Sequence, residues 1–187
     1  MKPAIVIVDM QKDFFKKENL IRQQDILVKN INELTTFARE NNIPVIWIRQ
    51  VLKADLSDSP KSVRESGKGT VLEGTEGSEL LDGFMKNETD YEVIKKRYSG
   101  FFKTDLEELI QKLDTDTLIV CGINTHACVR MTVIDAYQRD YDVIVDKDCV
   151  GSWDEEHHRV SLKYFEPKIA QVKTNQEIIE MIDSNKE

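Results

Sequence analysis

The sequence predicts an α/β fold in three layers, a six-stranded and mainly parallel sheet of Rossmann-like type with helices on both faces. Two observations carry this. Short, unbroken, β-branched apolar runs recur along the chain, the pattern of strands buried on both faces. Between most of them lie stretches with helical periodicity or helix-start signals, so neighbouring strands are joined by crossovers rather than hairpins. The first run, AIVIV at 4–8, ends in Asp9. Leu27, Ile31, Leu34 and Ala38 then recur at helical spacing. A second strand is expected at 43–48 (IPVIWI) and a third at 91–94 (YEVI). TDLE at 104–107 has the form of a capping box that opens a helix before the fourth strand at 117–122 (TLIVCG). Next come a short polar turn and a helix reached near Cys128, a fifth strand at 141–146 (YDVIVD) and a sixth at 168–172 (KIAQV). A second capping box, TNQE at 174–177, opens the last helix. Residues 51–88 break the rhythm: they hold most of the glycines, many serines and charges, and no sustained period. A connection this long usually covers a site.

With 187 residues, 40% hydrophobic and 32% charged, the chain suffices for one buried core and is short for two, so a single domain over 1–187 is expected. A formal net charge of −8, with acidic residues spread along the chain, argues against a nucleic-acid surface and leaves room for small neutral or cationic partners. No apolar stretch reaches the roughly 18 residues of a membrane span, and the N-terminal run is too short and lacks a small-residue cleavage site. Three cysteines, an odd number, fit a reducing compartment better than a disulfide framework. A cytoplasmic protein acting on a small molecule, without nucleic-acid or membrane partners, is the expectation.

In open parallel sheets, ligands bind outside the carboxyl ends of the strands. There the sequence places Asp9 after the first strand, Lys95 and Lys96 after the third, and the turn INTHA followed by Cys128 after the fourth. A thiolate is a nucleophile, a cation and a helix N-terminus lower a thiol pKa, and a carboxylate can take and return a proton. Free backbone N–H groups in the same turn could hold an oxyanion. On this reading Cys128 is an exposed, activated thiol. Taken singly, Cys128 would read as a packed small residue, Asp9 as a capping acid and the two lysines as a solvated charge pair. Their joint placement at strand ends lifts the chemical reading.

The segments VIVDMQKDF (6–14), KKRYSGFFKTDLEELI (95–110), CGINTHACVRMTVIDA (121–136) and DKDCVGSWDEEHH (146–158) together resemble the isochorismatase-like cysteine hydrolases, a family that includes nicotinamidases, N-carbamoylsarcosine amidases and isochorismatases. The resemblance implies an Asp-Lys-Cys triad of Asp9, Lys95 and Cys128, with Lys96 the neighbouring competitor for the lysine position. It implies a cis peptide at Ile123–Asn124, an oxyanion hole from the amides of Asn124 and Cys128, attack of the cysteine on a carbonyl, no cofactor, and a homo-oligomer, dimer or tetramer. Phe14, Tyr98, Phe101, His126 and Trp153 are the residues placed nearest a substrate, with Phe15 and Trp47 also near the strand ends.

One departure matters. Nicotinamidases of the family hold a metal with an Asp-x-His motif and a further histidine in the loop after the second strand, and that loop here contains no histidine. No metal site is therefore expected, and the amidase or isochorismatase side of the family is favoured. Adjacent His157 and His158 point about 100° apart on a helix and read as surface residues. Cys121 and Cys149 read as packing residues, and SGKGT (66–70) lacks the earlier glycine and the Lys-Ser/Thr ending of a phosphate loop. The leading expectation is hydrolysis of a C–N bond in a small amide, ureido or carbamoyl compound. Vinyl-ether hydrolysis, and an idle member kept as a binding subunit, are the alternatives.

Overall fold

The computed structural model describes residues 1–184. Its sheet has six strands, all parallel, in the order β3-β2-β1-β4-β5-β6. They are β1 (Pro3–Val8), β2 (Val45–Gln50), β3 (Tyr91–Lys95), β4 (Thr117–Ile123), β5 (Asp142–Gly151) and β6 (Gln171–Lys173). The helices are α1 (Glu18–Glu40), α2 (Lys61–Ser66), α3 (Leu106–Lys112), α4 (Arg130–Tyr137), α5 (Glu155–Phe165) and α6 (Asn175–Ser184). Alternation along the strands divides the core into two slabs. Ile5, Ile7, Trp47, Ile119 and Cys121 meet Leu27, Ile31 and Leu34 of α1 and Ile178 of α6 on one face. Val6, Val8, Ile48, Leu118 and Val120 meet Leu106 of α3, Val133 of α4 and Phe165 of α5 on the other. Because both faces are covered, the central strands are apolar throughout, which is why they read as unbroken runs. Among the described residues no helix is long and apolar enough to cross a membrane.

Strand order reverses between β1 and β4, so their carboxyl ends form the switch point where such sheets open a crevice. Gly122 permits a close approach there. Its φ of 105° lies in the left-handed region, and a Cβ would fall 2.1 Å from the carbonyl oxygen of Val8, the residue before Asp9.

Several boundaries differ from the sequence expectation for local reasons. β2 starts after Pro44, whose carbonyl accepts from Ile5 N–H, and runs on to Gln50. β6 starts three residues later than expected, because Ile169 and Ala170 give their N–H groups to the Phe165 carbonyl and close the end of α5. The Thr174–Glu177 capping box forms in both directions: Thr174 N–H reaches Glu177 Oε2 at 2.7 Å and Glu177 N–H reaches Thr174 Oγ1 at 3.1 Å. The one expected at 104–107 does not form. Thr104 donates its hydroxyl to the Gly100 carbonyl, Glu107 turns to Arg139 at 3.1 Å, and α3 starts at Leu106. Segment 51–88 is more ordered than its composition suggests: α2 lies within it, Leu52 bridges Leu72, and Leu80 bridges Gln11.

β5 bulges where its pairing with β4 slips between Val120 and Gly122, and Asp146 lies in the bulge, fully buried. Its Oδ1 accepts from Asp148 N–H at 2.9 Å, and the Cys149 thiol is another close polar neighbour, which only partly offsets the burial. Burial pushes this carboxyl up to about 6 from its ordinary 3.8. The folded state therefore holds the proton more tightly than the unfolded chain, and stability falls as pH rises from about 4 to about 6, by ~3 kcal/mol. Asp146→Asn removes the charge and keeps the acceptor. We expect it to be ~1–3 kcal/mol more stable than the parent at pH 8 and equal to it at pH 4, measured by urea unfolding at both values.

Candidate active site

Asp9 leaves β1 with φ of 55°, a left-handed conformation that aspartate tolerates better than most residues. That turn brings its carboxylate across the end of the sheet. Oδ2 accepts from Lys95 Nζ at 2.7 Å, and Oδ1 accepts from Gln50 N–H at 3.1 Å. Lys95, last residue of β3, is 0% exposed and Asp9 is 1% exposed, so the ion pair is sealed from water. Lys95 Nζ also donates to the Arg97 carbonyl at 3.0 Å. Burial alone would pull the Lys95 ammonium down, but the adjacent Asp9 carboxylate overcomes it, so its pKa is raised and the charge persists. Lys96, the neighbouring competitor, points the opposite way and pairs with Asp58 at 2.9 Å. Strand alternation separates the two lysines.

Cys128 completes the cluster. The cis peptide Ile123–Asn124 leads from β4 into a π-helical turn, Thr125–Val129, and the Asn124 carbonyl accepts from both Ala127 and Val129 N–H. The Cys128 thiol lies close enough to Asp9 and Lys95 for both charges to act on it. The expectation of an exposed, acidified thiol is corrected on two counts. Cys128 is 5% exposed, and burial together with the Asp9 charge pushes its pKa up, against the opposing pull of Lys95. At rest it is a neutral thiol beside a carboxylate, because the lysine charge is already matched by Asp9.

A cavity of about 800 Å³ opens near this cluster; Asp9, Lys95 and Cys128 do not themselves line it, but Gln50, whose N–H meets Asp9, and Arg97, whose carbonyl meets Lys95, do. It is bordered by Phe14 after β1, Gln50 at the end of β2, Tyr98 and Ser99 after β3, and Met131 one turn beyond Cys128. The roof comes from the 51–88 segment through Pro60, Val63 and Thr70. Phe14 and Tyr98 therefore stand where the sequence put them. Phe101 does not: it is buried in the core, stacked on Tyr141 at 6.2 Å with Arg139 4.8 Å over its ring. Trp47 is likewise core, edge-on to Phe84 at 5.2 Å, with its indole N–H on Asp90 at 2.9 Å. Phe15 is also buried.

His126 and Trp153 sit together on a different lip, their rings 5.3 Å apart, and do not border this cavity. All three histidines of the chain gather there. His126 Nδ1 is 2.6 Å from Ser152 Oγ, and its ring is 5.8 Å from that of His157. His157 is exposed and pairs with Asp154. His158 departs from the expectation of a surface residue: it is half-buried, with Nδ1 2.8 Å from Thr125 Oγ1 in the nucleophile's own turn. The Thr125 hydroxyl already donates to the Gly151 carbonyl, so Nδ1 of His158 is the donor in this contact. Burial lowers the pKa of both His126 and His158.

The sequence reading missed Gln11. Fully buried, it donates through Nε2 to the carbonyls of Gln50 (2.9 Å) and Ser78 (2.7 Å) and accepts Gln50 N–H at 2.9 Å. It ties the covering segment to the strand end that supports Asp9. Its only signal was a neutral polar residue just after a strand end, between Met10 and Lys12, and its role shows only through its tertiary partners.

The loop after β2 lacks the donors of a metal site of the nicotinamidase type. It has no imidazole; Asp58 pairs with Lys96 and accepts from Lys53 N–H, and Asp55 accepts from Ser57 N–H. Among the described residues, the one grouping of potential ligand atoms close enough to share an ion is Cys121, Asp146 and Cys149, in the core rather than in the cavity.

Comparison with known proteins agrees with this architecture. The sequence profile of the Isochorismatase domain matches residues 3–177. A probable inactive nicotinamidase of Arabidopsis thaliana is 33% identical over 168 residues, with 85% of each chain covered. A cysteine hydrolase from Pseudomonas syringae superposes with a TM-score of 0.90 at 28% identity, covering 98% of this chain and 93% of the other. An N-carbamoylsarcosine amidase from Thermoplasma acidophilum gives 0.79 at 27% identity, over 94% and 97% of the two chains. With a six-stranded parallel sheet, the domain match and these likenesses over nearly its whole length, the chain belongs to the isochorismatase family and is a hydrolase of that family.

Proposed function

We propose that the protein hydrolyses a C–N bond in a small amide, ureido or carbamoyl compound, with Cys128 as nucleophile, Asp9 as proton carrier and Lys95 as fixed cation. The observation that carries this is the Cys128 thiol under the influence of both a carboxylate and an ammonium that are themselves paired at 2.7 Å, close to a cavity sized for a small molecule. The raised thiol pKa implies that deprotonation accompanies attack. As Cys128 Sγ bonds to the substrate carbon, its proton passes to Asp9. Lys95 keeps its own proton and stabilises the negative charge shared among thiol, carboxylate and oxyanion. The amides of Asn124 and Cys128 receive the oxyanion. Asp9 returns the proton to the leaving nitrogen, the C–N bond breaks, and a thioester remains. Water then adds to the thioester, giving its proton to Asp9, and collapse expels the sulfur, which recovers that proton.

Each step uses this chain's own residues, and the loop after β2 offers no donor set for a metal, so turnover is proposed to be independent of one. A panel of small amides, ureido acids and carbamoyl compounds scored for ammonia release tests the reading. Release from at least one class, unchanged by EDTA, is expected. Loss of turnover on chelation with recovery on adding zinc would contradict it.

A further inference from the structure

We propose that the substrate carries a carboxylate, gripped by the open edge of the Arg97 guanidinium. This rests on the amide-hydrolase reading above and names its substrate class. The chain as a whole has a net charge of −8, yet the cavity near Cys128, which Met131 borders one turn further on, is lined by two cations, Lys68 and Arg97, and one carboxylate, Asp135. Asp135 is already engaged: it accepts the Ser99 hydroxyl and lies 3.4 Å from Arg139 Nη1. Neither cavity cation has an anionic partner among the described residues.

Arg97 is placed by its neighbours rather than by a counter-charge. Nη1 donates to the carbonyls of Asp58 (2.8 Å) and Lys96 (2.7 Å), and Nη2 donates to that of Ser59 at 3.3 Å. A guanidinium has five N–H donors, one on Nε and two on each Nη. Both hydrogens of Nη1 and one of Nη2 are thus used; because Nη1 and Nη2 both turn to the adjacent carbonyls of Asp58 and Ser59, we infer that the donors left are Nε–H and the outer Nη2–H, the two of one edge.

That edge is the one this protein uses elsewhere to hold carboxylates. Arg39 grips Asp90 through Nε and Nη2 at 3.0 and 2.6 Å, and Arg49 grips Glu92 through the same atoms at 3.2 and 2.8 Å. A planar, bidentate fork matches a carboxylate. Arg97 is also tied to the reacting centre, because its own carbonyl accepts from Lys95 Nζ. The apolar lining supplied by Phe14, Leu52, Val63 and Met131 suits the carbon chain between the carboxylate and the scissile amide. The exposed Lys68 adds a second positive charge to the cavity.

The test compares ω-amido acids with neutral amides of the same chain length: succinamate, glutaramate and adipamate against butyramide, pentanamide and hexanamide. Binding is measured by calorimetry on the Cys128→Ala protein, and turnover by ammonia release from the parent enzyme. At least one acid should bind about tenfold or more tightly than its neutral counterpart, with the preference shrinking as salt rises. Arg97→Gln, which keeps an amide NH2 for the backbone carbonyls but loses the charge and the fork, should reduce the preference to about threefold or less. Arg97→Lys, which keeps the charge but loses the fork, should fall between the two. Equal binding within every pair, or a preference that survives in folded Arg97→Gln, would overturn the proposal. Carboxylate binding without ammonia release from any compound would sink the amide reading and leave the anion site standing, whereas release from neutral amides with no acid preference would do the reverse.

Discussion

Replacing Asp9 with Asn is expected to lower turnover by at least ~10³-fold, the range seen when a positioned proton carrier is lost. The residue has two separable jobs. Its Oδ1 accepts Gln50 N–H, which asparagine can also do, and its Oδ2 faces the Lys95 ammonium and the Cys128 thiol. Only the second needs a charge. In the parent, the thiol pKa is raised by burial and by the Asp9 charge itself, so the carboxylate both holds the thiol neutral and accepts its proton at the moment of attack. With asparagine there, the Lys95 charge has no counter-ion and draws the thiol toward thiolate. The variant should therefore alkylate at Cys128 with iodoacetamide at neutral pH faster than the parent does, while failing to turn over substrate. Steady-state kinetics and peptide mapping after brief labelling check the two halves. An Asp9→Asn enzyme with turnover within about tenfold of the parent would remove Asp9 from the proposed chemistry.

Lys95→Met is expected to cost ~3–5 kcal/mol of stability as well as activity, because it strands the Asp9 carboxylate in a site sealed from water. For a chain of this size that corresponds to roughly 10 °C in Tm. The double variant Lys95→Met/Asp9→Leu removes both charges and should recover most of the loss in stability while remaining inactive, since replacing a buried pair by apolar residues is often neutral. Thermal unfolding of the single and double variants measures this. A Lys95→Met protein as stable as the parent would mean that the pair is hydrated in solution. Lys96→Met, whose partly exposed ammonium reaches only Asp58 and the Val51 carbonyl, should change stability by less than ~1 kcal/mol.

The central strands β1, β2, β4 and β5 were legible in the sequence because they are largely buried on both faces, which gives short β-branched apolar runs. The register that sets Lys95 against Lys96 followed from strand alternation and from the family resemblance. Other features depended on contacts distant in sequence. Thr104 and Glu107 satisfied the pattern of a capping box, but Gly100 and Arg139 offered better partners. Phe101 stood two residues beyond a cavity residue, Ser99, yet the chain turns there and its ring faces the core. The state of Cys128 was misread for a physical reason. A cation and a helix start nearby suggest a lowered pKa, but sequence does not show that the cation is already neutralised or that the sulfur is buried. His158 was read from helical spacing alone, which gives the angle between adjacent side chains and not what lies opposite each of them.

The most direct measurement is mass spectrometry of the parent protein, acid-quenched during turnover of a substrate found in the amide panel. The proposed chemistry predicts a substrate acyl group on Cys128 alone, removed by hydroxylamine, and absent from a Cys128→Ser variant that has lost nearly all turnover. No adduct at any quench time, together with a Cys128→Ser enzyme that still turns over and an Asp9→Asn enzyme that does not, would contradict it and favour acid-catalysed vinyl-ether hydrolysis.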